Sequence, residues 1–427
     1  MPDRSIAPKI KDATDYRIIL PAYEHFKLDN HIPVYLVPSE EQETLLLEFV
    51  FPAGSWYENK ALVADATNTL LKNGTRRRTA LQLNEEIEYF GAFLNLHCRY
   101  EHAHLTLHCL SKHIGDLLPL LQDILTEPAF PENELDIYRQ NRKQRLAVNL
   151  QKCDFVANRH IDTYLFGAYH PYGRTSSMED YNALQQEDLQ GFFQKCYAGQ
   201  PFRLFIAGNI PAGLQEQLNR YLGGDPRQPA EPLHKQDLPI QPAPEKQYRI
   251  DHDPNGVQGA IRVGRLFPNR YHPDFPKMKL LNTILGGYFG SRLMRNIRED
   301  KGYTYGIFSS LYDHSQSSAL TVSTEAGREV CEAAVEEIFK ELEQLRQQPI
   351  PEEELNLVRN YLMGTVLGDL DGPFQVLDRW KKLILADLDE QYFYNYIKTV
   401  KTATPGELQE LAGQYFDPVE FYSLIVA

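Results

Sequence analysis

The two halves of this 427-residue chain repeat the same order of sequence features, and that repetition restricts the fold more than any other property. In the first half a helical segment ends at Gly91 and another is predicted to begin at Pro131, while Gly302 and Pro351 hold the same places in the second half. The two pairs are offset by 211 and 220 residues. Proline in the first turn followed by glutamate is typical of a helix start. Because two strand-like runs precede that helical region in each half, the sequence predicts a duplicated α+β domain.

Prolines cluster in the middle of the chain, within residues 226–244. Since proline lacks a backbone donor and fixes φ, this stretch is predicted to be an extended linker rather than a helix or a central strand. The predicted organisation is an N-terminal domain at 1–222, a linker at 223–246 and a C-terminal domain at 247–427. The expected fold class is α+β, with each domain a mainly antiparallel sheet that carries helices on one face.

Charge and composition argue against several classes of function. With 44 Lys+Arg against 58 Asp+Glu, the formal net charge is −14, which disfavours nucleic acid or an anionic membrane as the main partner. The N-terminus lacks the apolar segment of a secretory signal, and no apolar run approaches the roughly 18 residues of a spanning helix. Five widely spaced cysteines, without a C-x-x-C pair, fit unpaired thiols, and we therefore expect a cytoplasmic protein.

Four histidines within twelve residues form the most obvious candidate metal site: His97, His102, His104 and His108. Imidazoles two residues apart on a strand share a face and can bind zinc. However, Leu105 and Leu107 alternate with these histidines, which is the pattern of a half-buried strand with a polar face. We predict such a strand, and a metal-binding function of these histidines remains an alternative.

The second candidate site is the glycine-rich stretch at residues 285–306. Its glycines allow close approach of the backbone ahead of a helix, and they are Gly286, Gly287 and Gly290. Arg298 and Tyr305 flank Gly302, and either side chain could contact a peptide backbone or a carboxylate. Taken alone, the spacing leaves a second interpretation open, in which the glycines serve packing and Arg298 is a surface residue.

Familiar catalytic motifs are missing from the sequence, including the P-loop, G-x-S-x-G, H-E-x-x-H and H-x-x-E-H. Three other motifs are present in order: N-G-T at 73–75, F-P-x-x-E-L at 130–135, and L-G-G with S-R-L and R-E-D-K-G-Y-T-Y within 285–305. Together with the duplication, they resemble the insulinase/pitrilysin zinc metallopeptidases, and most of all the mitochondrial-processing-peptidase-type chains. The resemblance implies one half of a metallopeptidase clamshell.

The resemblance also implies that the zinc site of this family has been lost here. Alignment on Gly74-Thr75 places the two zinc-binding histidines of the family at Asp65 and Thr69, and the glutamate general base at Asn68. The count to the third ligand of the family ends at Arg145, a cation. We therefore expect no metal cofactor in this chain, and zinc in a partner subunit.

The Arg298 and Tyr305 pair matches the family positions that bind the substrate backbone and stabilise the oxyanion. The resemblance thus implies a non-catalytic subunit of a heteromeric zinc metalloendopeptidase, inactive alone, whose homologous partner contains H-x-x-E-H. Unfolded peptides would be the substrates, and Gly286, Gly287 and Gly290 would line the chamber. Two alternatives stay open: a catalytically inert scaffold, and a protein of the same fold that binds peptides without cleaving them.

Overall fold

The computed structural model of the protein describes residues 12–224, 233, 235 and 237–427. Most of the proline-rich part of the predicted linker, at 225–232, lies outside the described residues, as do 234 and 236. Residues 237–246 contain no helix or strand. Within the described ranges, no helix combines the length and the apolar character that crossing a bilayer requires.

The first half of the chain forms one sheet with helices around it. Its strands are β1 (Glu24–Lys27), β2 (Pro33–Pro38), β3 (Thr44–Phe51), β4 (Phe93–Cys98), β5 (Ala103–Leu110) and β6 (Arg203–Gly208). Its helices are α1 (Val63–Leu70), α2 (Ala80–Tyr89), α3 (Ile114–Thr126), α4 (Glu132–Asn149), α5 (Cys153–Phe166), α6 (Met178–Ala183), α7 (Gln186–Cys196) and α8 (Leu214–Leu222).

The second half forms another sheet and a second group of helices. Its strands are β7 (Gln247–Ile250), β8 (Gln258–Phe267), β9 (Thr304–Asp313), β10 (Ser318–Gly327) and β11 (Tyr422–Val426). Its α-helices are α9 (Phe275–Asn282), α10 (Cys331–Gln347), α11 (Glu352–Gly368), α12 (Pro373–Leu385), α13 (Glu390–Thr402) and α14 (Pro405–Tyr415). Two π-helical segments, Thr283–Gly287 and Met294–Asp300, lie between α9 and β9.

Sheet topology confirms the duplication. The first sheet has the order β1-β2-β6-β3-β5-β4 and the second has the order β7-β11-β8-β10-β9. In each sheet the last strand of the half pairs in parallel with an early strand, β6 with β2 and β11 with β7, whereas every other described pairing is antiparallel. The two sheets therefore match strand for strand except for β1. The predicted α+β fold class, with two mainly antiparallel sheets, is confirmed.

Local sequence explains the shared helix starts. Pro131 and Pro351 are the N-caps of α4 and α11, and glutamates fill the first turn of both helices. Carboxylates stabilise a helix N-terminus because they interact favourably with its dipole. On β5, buried residues alternate with partly exposed or exposed residues, and Leu105 and Leu107 lie on the buried face. The half-buried histidine strand is thus confirmed.

The two halves exchange helices, a feature that the sequence did not predict. Helix α12 of the second half packs on β2 and β6, and the indole Nε1 of Trp380 donates to the carbonyl oxygen of Pro21 at 2.7 Å. In return, α5 of the first half packs on β8 and β11. Each sheet therefore carries helices of its own half on one face, as expected, and a helix of the other half on the opposite face.

Candidate functional site

Tyr305 projects into solvent because a β-bulge interrupts the pairing of β9 with β10. Between the pairs Ile307–Thr324 and Thr304–Ala326, β9 has one residue more than β10. A bulge of this kind turns a side chain out of the regular alternation, and bulges are over-represented beside active sites. As a result, the Tyr305 side chain is 93% exposed.

Threonine hydroxyls fix the bulge. Thr304 Oγ1 accepts a hydrogen bond from the backbone N–H of Gly306 at 3.1 Å and donates to the carbonyl oxygen of Glu325 at 2.6 Å. Thr324 Oγ1 donates to the carbonyl oxygen of Gly306 at 2.8 Å. The backbone at Tyr305 is therefore held rigidly, whereas no described residue accepts a hydrogen bond from its hydroxyl.

Arg298 belongs to the second π-helical segment, and its side chain lies next to Tyr305 of β9. Such segments often occur at functional sites. Its Nε donates to the carbonyl oxygen of Tyr305 at 3.0 Å, and its guanidinium carbon lies 4.6 Å from the ring centroid of Phe289. Arg298 and Tyr305 line one cavity of about 470 Å³. The structure thus brings together the two residues that the sequence singled out.

The pair offers hydrogen-bond donors to whatever enters this cavity. A phenol hydroxyl donates a single hydrogen bond, and a guanidinium can donate several in a planar fork. Both suit a peptide carbonyl or an oxygen that gains negative charge during a reaction. Tyr303 also lines the cavity, but it packs against the hydrophobic core, so Tyr305 is the tyrosine with the freely exposed ring.

Gly286, one of the glycines of the predicted chamber lining, has a packing role. Gly286 is buried, and a Cβ atom there would lie 2.7 Å from the backbone nitrogen of Ser309. A left-handed φ of +68° occurs at Gly302, and none occurs at Gly286, Gly287 or Gly290. The cavity beside Tyr305 is lined by other residues. The missing side chain of Gly286 therefore lets the π-helical segment approach β9. A substrate-binding role for Gly286, Gly287 and Gly290 stays a prediction.

The four positions that the resemblance assigns to the zinc site of the family lie on α1 and α4. The Tyr138 hydroxyl donates to Asp65 Oδ2 at 2.6 Å, and Arg142 Nη2 lies 3.0 Å from the same oxygen. Arg142 Nη2 also lies 3.4 Å from Thr69 Oγ1. The amide of Asn68 donates to the Tyr197 hydroxyl at 3.2 Å. These contacts join Asp65, Thr69, Tyr138 and Arg142 in one hydrogen-bonded cluster.

Arg145 makes no contact with this cluster in the described part of the chain, and its assignment to the third ligand position of the family stays a prediction. Its side chain is exposed, whereas Tyr138 is buried and Arg142 is half-buried against Asp65. At 1.5 Å of rise per residue, Arg145 lies about 10 Å beyond Tyr138 along the helix axis. A count along the chain depends on the length of the segment between α1 and α4, whereas the contact depends only on where the two helices cross. The cation that contacts Asp65 is Arg142.

The side chains around Asp65 do not fit a zinc ion. Zinc is held by imidazole, thiolate and carboxylate ligands, and Asp65 is already bound to a phenol and a guanidinium. Cys98 and Glu58 line the adjacent cavity of about 380 Å³. Burial raises the pKa of the Cys98 thiol, and burial raises the pKa of Glu58 to about 7 although Arg174 opposes that shift. Among the described residues, no three His, Cys, Asp or Glu side chains gather closely enough to hold a metal ion.

The sequence did not predict the contacts of Tyr138 and Arg142 with Asp65, or the ion pair between Glu58 and Arg174. The spacing of Leu135, Tyr138 and Arg142 places them on one face of α4, which was the available signal. For Glu58 and Arg174 no signal was available, because they are 116 residues apart and meet only in the folded chain.

Comparison with known proteins identifies the family. A sequence profile described as "Insulinase (Peptidase family M16)" matches residues 34–170, and a profile described as "Peptidase M16 inactive domain" matches residues 183–362. Together the two profiles match most of both halves. The chain belongs to the insulinase family. Its place in the processing-peptidase-type branch stays a prediction.

Relatives and solved structures agree with this assignment. The chain is 22% identical over 312 residues to the "Uncharacterized zinc protease YmxG" of Bacillus subtilis, covering 72% of this chain and 74% of that one. It is 22% identical over 367 residues to an "Uncharacterized zinc protease" of Rickettsia bellii, covering 80% and 82%. Its fold resembles the peptidase M16 inactive domain from Pseudomonas fluorescens, with a TM-score of 0.84 at 20% identity over 95% of this chain and 98% of that one. It also resembles a protease from Helicobacter pylori, with a TM-score of 0.82 at 18% identity over 96% and 100%.

Proposed function

We propose that this insulinase-family chain is a non-catalytic subunit of a heteromeric zinc metalloendopeptidase that acts in the cytoplasm. A homologous partner chain supplies the intact H-x-x-E-H motif and its zinc ion. The present chain supplies Arg298 and Tyr305, which contact an unfolded peptide at the partner's reactive centre.

One observation carries the proposal. Tyr305 is 93% exposed, has a hydroxyl without a described acceptor, and stands on a bulge whose backbone is fixed by two threonine hydroxyls. An exposed aromatic ring on a rigid support is typical of a group that meets a ligand or another chain. Asp65 lines a different cavity from Arg298 and Tyr305, and this separation supports a partner chain as the source of the zinc ion.

The proposed roles follow from the donor groups. The Tyr305 hydroxyl donates to the scissile carbonyl oxygen and continues to do so as that oxygen becomes negative, which lowers the barrier without reorganisation. Since Arg298 is already held by the Tyr305 carbonyl and the Phe289 ring, its free N–H groups are preorganised to bind a peptide carbonyl or carboxylate.

A second function, peptide binding without cleavage, is favoured by the edge strand β9. This strand pairs with β10 on one side only, and Phe308 is 49% exposed on it. An extended peptide can add to such an edge through main-chain hydrogen bonds. In that case Arg298 and Tyr305 would hold the peptide rather than assist its hydrolysis.

The test is reconstitution with the homologous chain that contains H-x-x-E-H. Hydrolysis of a quenched fluorescent unfolded peptide is measured for this chain alone, for the partner alone and for an equimolar mixture. We expect turnover only in the mixture, together with a 1:1 complex on gel filtration. A 1:1 complex whose turnover does not exceed that of the partner alone would contradict the proposal and favour the scaffold or peptide-binding function.

A further inference from the structure

The second half contains a cavity that the proposed function does not use. It has a volume of about 420 Å³ and lies among α9, α11, α12, α13 and the end of β9. Its size is within the range of small-molecule pockets. Asp313 lines it, and because Asp313 and Tyr305 are eight residues apart on β9, the cavity lies about 26 Å from Tyr305 along that strand.

The charged groups that line this cavity are Arg270, Lys279, Arg379, Lys382, Asp313 and Asp369, and we call it the cationic pocket. Four cations against two carboxylates leave an excess of two positive charges, in a chain whose formal net charge is −14. Such an excess in a concave site attracts anions.

The two carboxylates are each committed to one arginine. Arg270 Nε donates to Asp313 Oδ1 at 2.9 Å, and Arg379 Nη2 donates to Asp369 Oδ2. These pairs neutralise the two carboxylates, and Lys382 pairs with Asp378 of α12 at 2.7 Å. The positive charge left over in the pocket therefore belongs to Lys279.

Lys279 is the cation without a counter-ion. Its ammonium lies 4.9 Å from the ring centroid of Phe275 and 5.5 Å from that of Tyr396. Within the described ranges no carboxylate lies at salt-bridge distance from it, and burial lowers its pKa to about 8. Lys279 is half-buried and contacts rings rather than a carboxylate, so an anion bound in the pocket would supply the counter-ion that it lacks.

Aromatic side chains complete the wall opposite the charges. Tyr392, Phe393 and Tyr396 of α13 line the pocket, beside Leu383 of α12. Rings and aliphatic groups of this kind contact the apolar or planar body of a ligand, while the charged groups fix its anionic end.

We propose that the cationic pocket binds a small organic phosphate monoester. Such a group offers three strong acceptor oxygens to the cationic side chains that line the pocket, whereas a single carboxylate offers two. Lys279 contacts the phosphate, and the α13 rings contact the organic part. The proposal does not depend on the peptidase role, because binding is measured on this chain alone.

The consequence of binding is a more firmly docked α12. This helix forms one wall of the pocket through Arg379, Lys382 and Leu383, and it also packs on β2 and β6 of the first half. A ligand that binds only the folded chain raises its stability in proportion to the logarithm of ligand concentration.

Isothermal titration calorimetry and thermal unfolding with phenyl phosphate test the proposal on the full chain. Wild-type protein should show saturable 1:1 binding and a rising unfolding temperature. Lys279→Gln should weaken binding by about 10- to 100-fold, the usual effect of losing a hydrogen bond to a charged group. Lys398→Gln is the matched control, because Lys398 is exposed on α13 and is not among the residues that line the pocket. It should leave the affinity unchanged.

Three ligand controls define the chemistry. Benzoate should bind more weakly than phenyl phosphate because it carries a single charge, and inorganic phosphate should also bind more weakly because it leaves the rings uncovered. Sodium sulfate at matched ionic strength should not displace phenyl phosphate. Absence of saturable binding to the wild type, equal affinity in Lys279→Gln, or benzoate binding as tightly as phenyl phosphate would overturn the proposal. If Lys279→Gln does not fold, Arg379→Gln takes its place with the same criteria.

Discussion

The Lys381→Met substitution tests how firmly the exchanged helix α12 holds the two halves together. Lys381 belongs to the second half, and its ammonium donates to Glu48 Oε2 of β3 in the first half at 2.7 Å. The other oxygen of Glu48 lies 2.7 Å from His104 Nδ1. The Lys381 and Glu48 side chains are only 15% and 10% exposed. Removing the ammonium therefore leaves a buried carboxylate with the imidazole as its remaining partner.

The expected loss is set by burial. Removing one partner of a buried ion pair costs about 3–5 kcal/mol, and because His104 still contacts Glu48 we expect the lower limit, about 3 kcal/mol. Replacing both partners removes the stranded charge, so the Glu48→Gln/Lys381→Met double variant should lie within about 1 kcal/mol of the wild type. Together with the Glu48→Gln single variant, these two variants complete a double-mutant cycle that gives the coupling free energy between Lys381 and Glu48.

Urea unfolding near neutral pH, followed by tryptophan fluorescence, measures these free energies. The chain has two tryptophans, with Trp380 on α12 itself and Trp56 in the first half, so loss of α12 docking is visible directly. Lys382→Met is the control, because Lys382 is 63% exposed and pairs with Asp378 on its own helix. It should change stability by no more than about 0.5 kcal/mol. A loss for Lys381→Met that does not exceed the loss for Lys382→Met would refute this account of the interface.

Three further predictions concern pH, packing and metal. Burial alone would raise the pKa of Glu48, but His104 and Lys381 hold that pKa below its ordinary value of 4.5. The ionised Glu48 therefore stabilises the fold above pH 4.5, and this stabilisation is lost as the pH falls through the lower folded-state pKa. Urea unfolding at a series of acidic pH values should show this slope in the wild type and a smaller slope in Glu48→Gln. Gly286→Ala should destabilise the fold by about 1–3 kcal/mol by overpacking. Gly364→Ala is the control and should not destabilise the fold, because a Cβ atom there meets open space. An equal loss of stability in the two variants would contradict the packing role of Gly286. Elemental analysis of the chain after incubation with zinc and dialysis should show no stoichiometric metal. Stoichiometric zinc in the wild type that is absent from the Asp65→Asn variant would show a zinc site at Asp65 and contradict this prediction.

Much of the fold followed from sequence because its signals are local. Each of these signals depends on a few neighbouring residues. They are the glycines that end helical segments, the prolines and glutamates that begin α4 and α11, and the alternation of buried and exposed residues on β5. The exchange of α5 and α12 was not predictable in the same way, since an amphipathic helix shows which face is apolar but not which sheet covers it.

The candidate site was predictable in its position and not in its details. The spacing of Arg298 and Tyr305 identified a pair that the structure brings into one cavity. The bulge that exposes Tyr305 depends on the register between β9 and β10, which is a tertiary property. A residue count cannot show where α4 crosses α1, whereas the contact of Arg142 with Asp65 shows it directly.

The most direct test of the proposed function is peptide turnover by the reconstituted heterodimer containing Tyr305→Phe. The substitution removes one hydroxyl and leaves the ring, so assembly on gel filtration should be unchanged. Loss of an oxyanion donor typically reduces the rate by about 10²–10³-fold, and we expect a fall in kcat of that size. Tyr303→Phe, two residues away in the same cavity, serves as the matched control and should retain turnover close to that of the wild type. An intact Tyr305→Phe heterodimer with wild-type turnover would contradict the account.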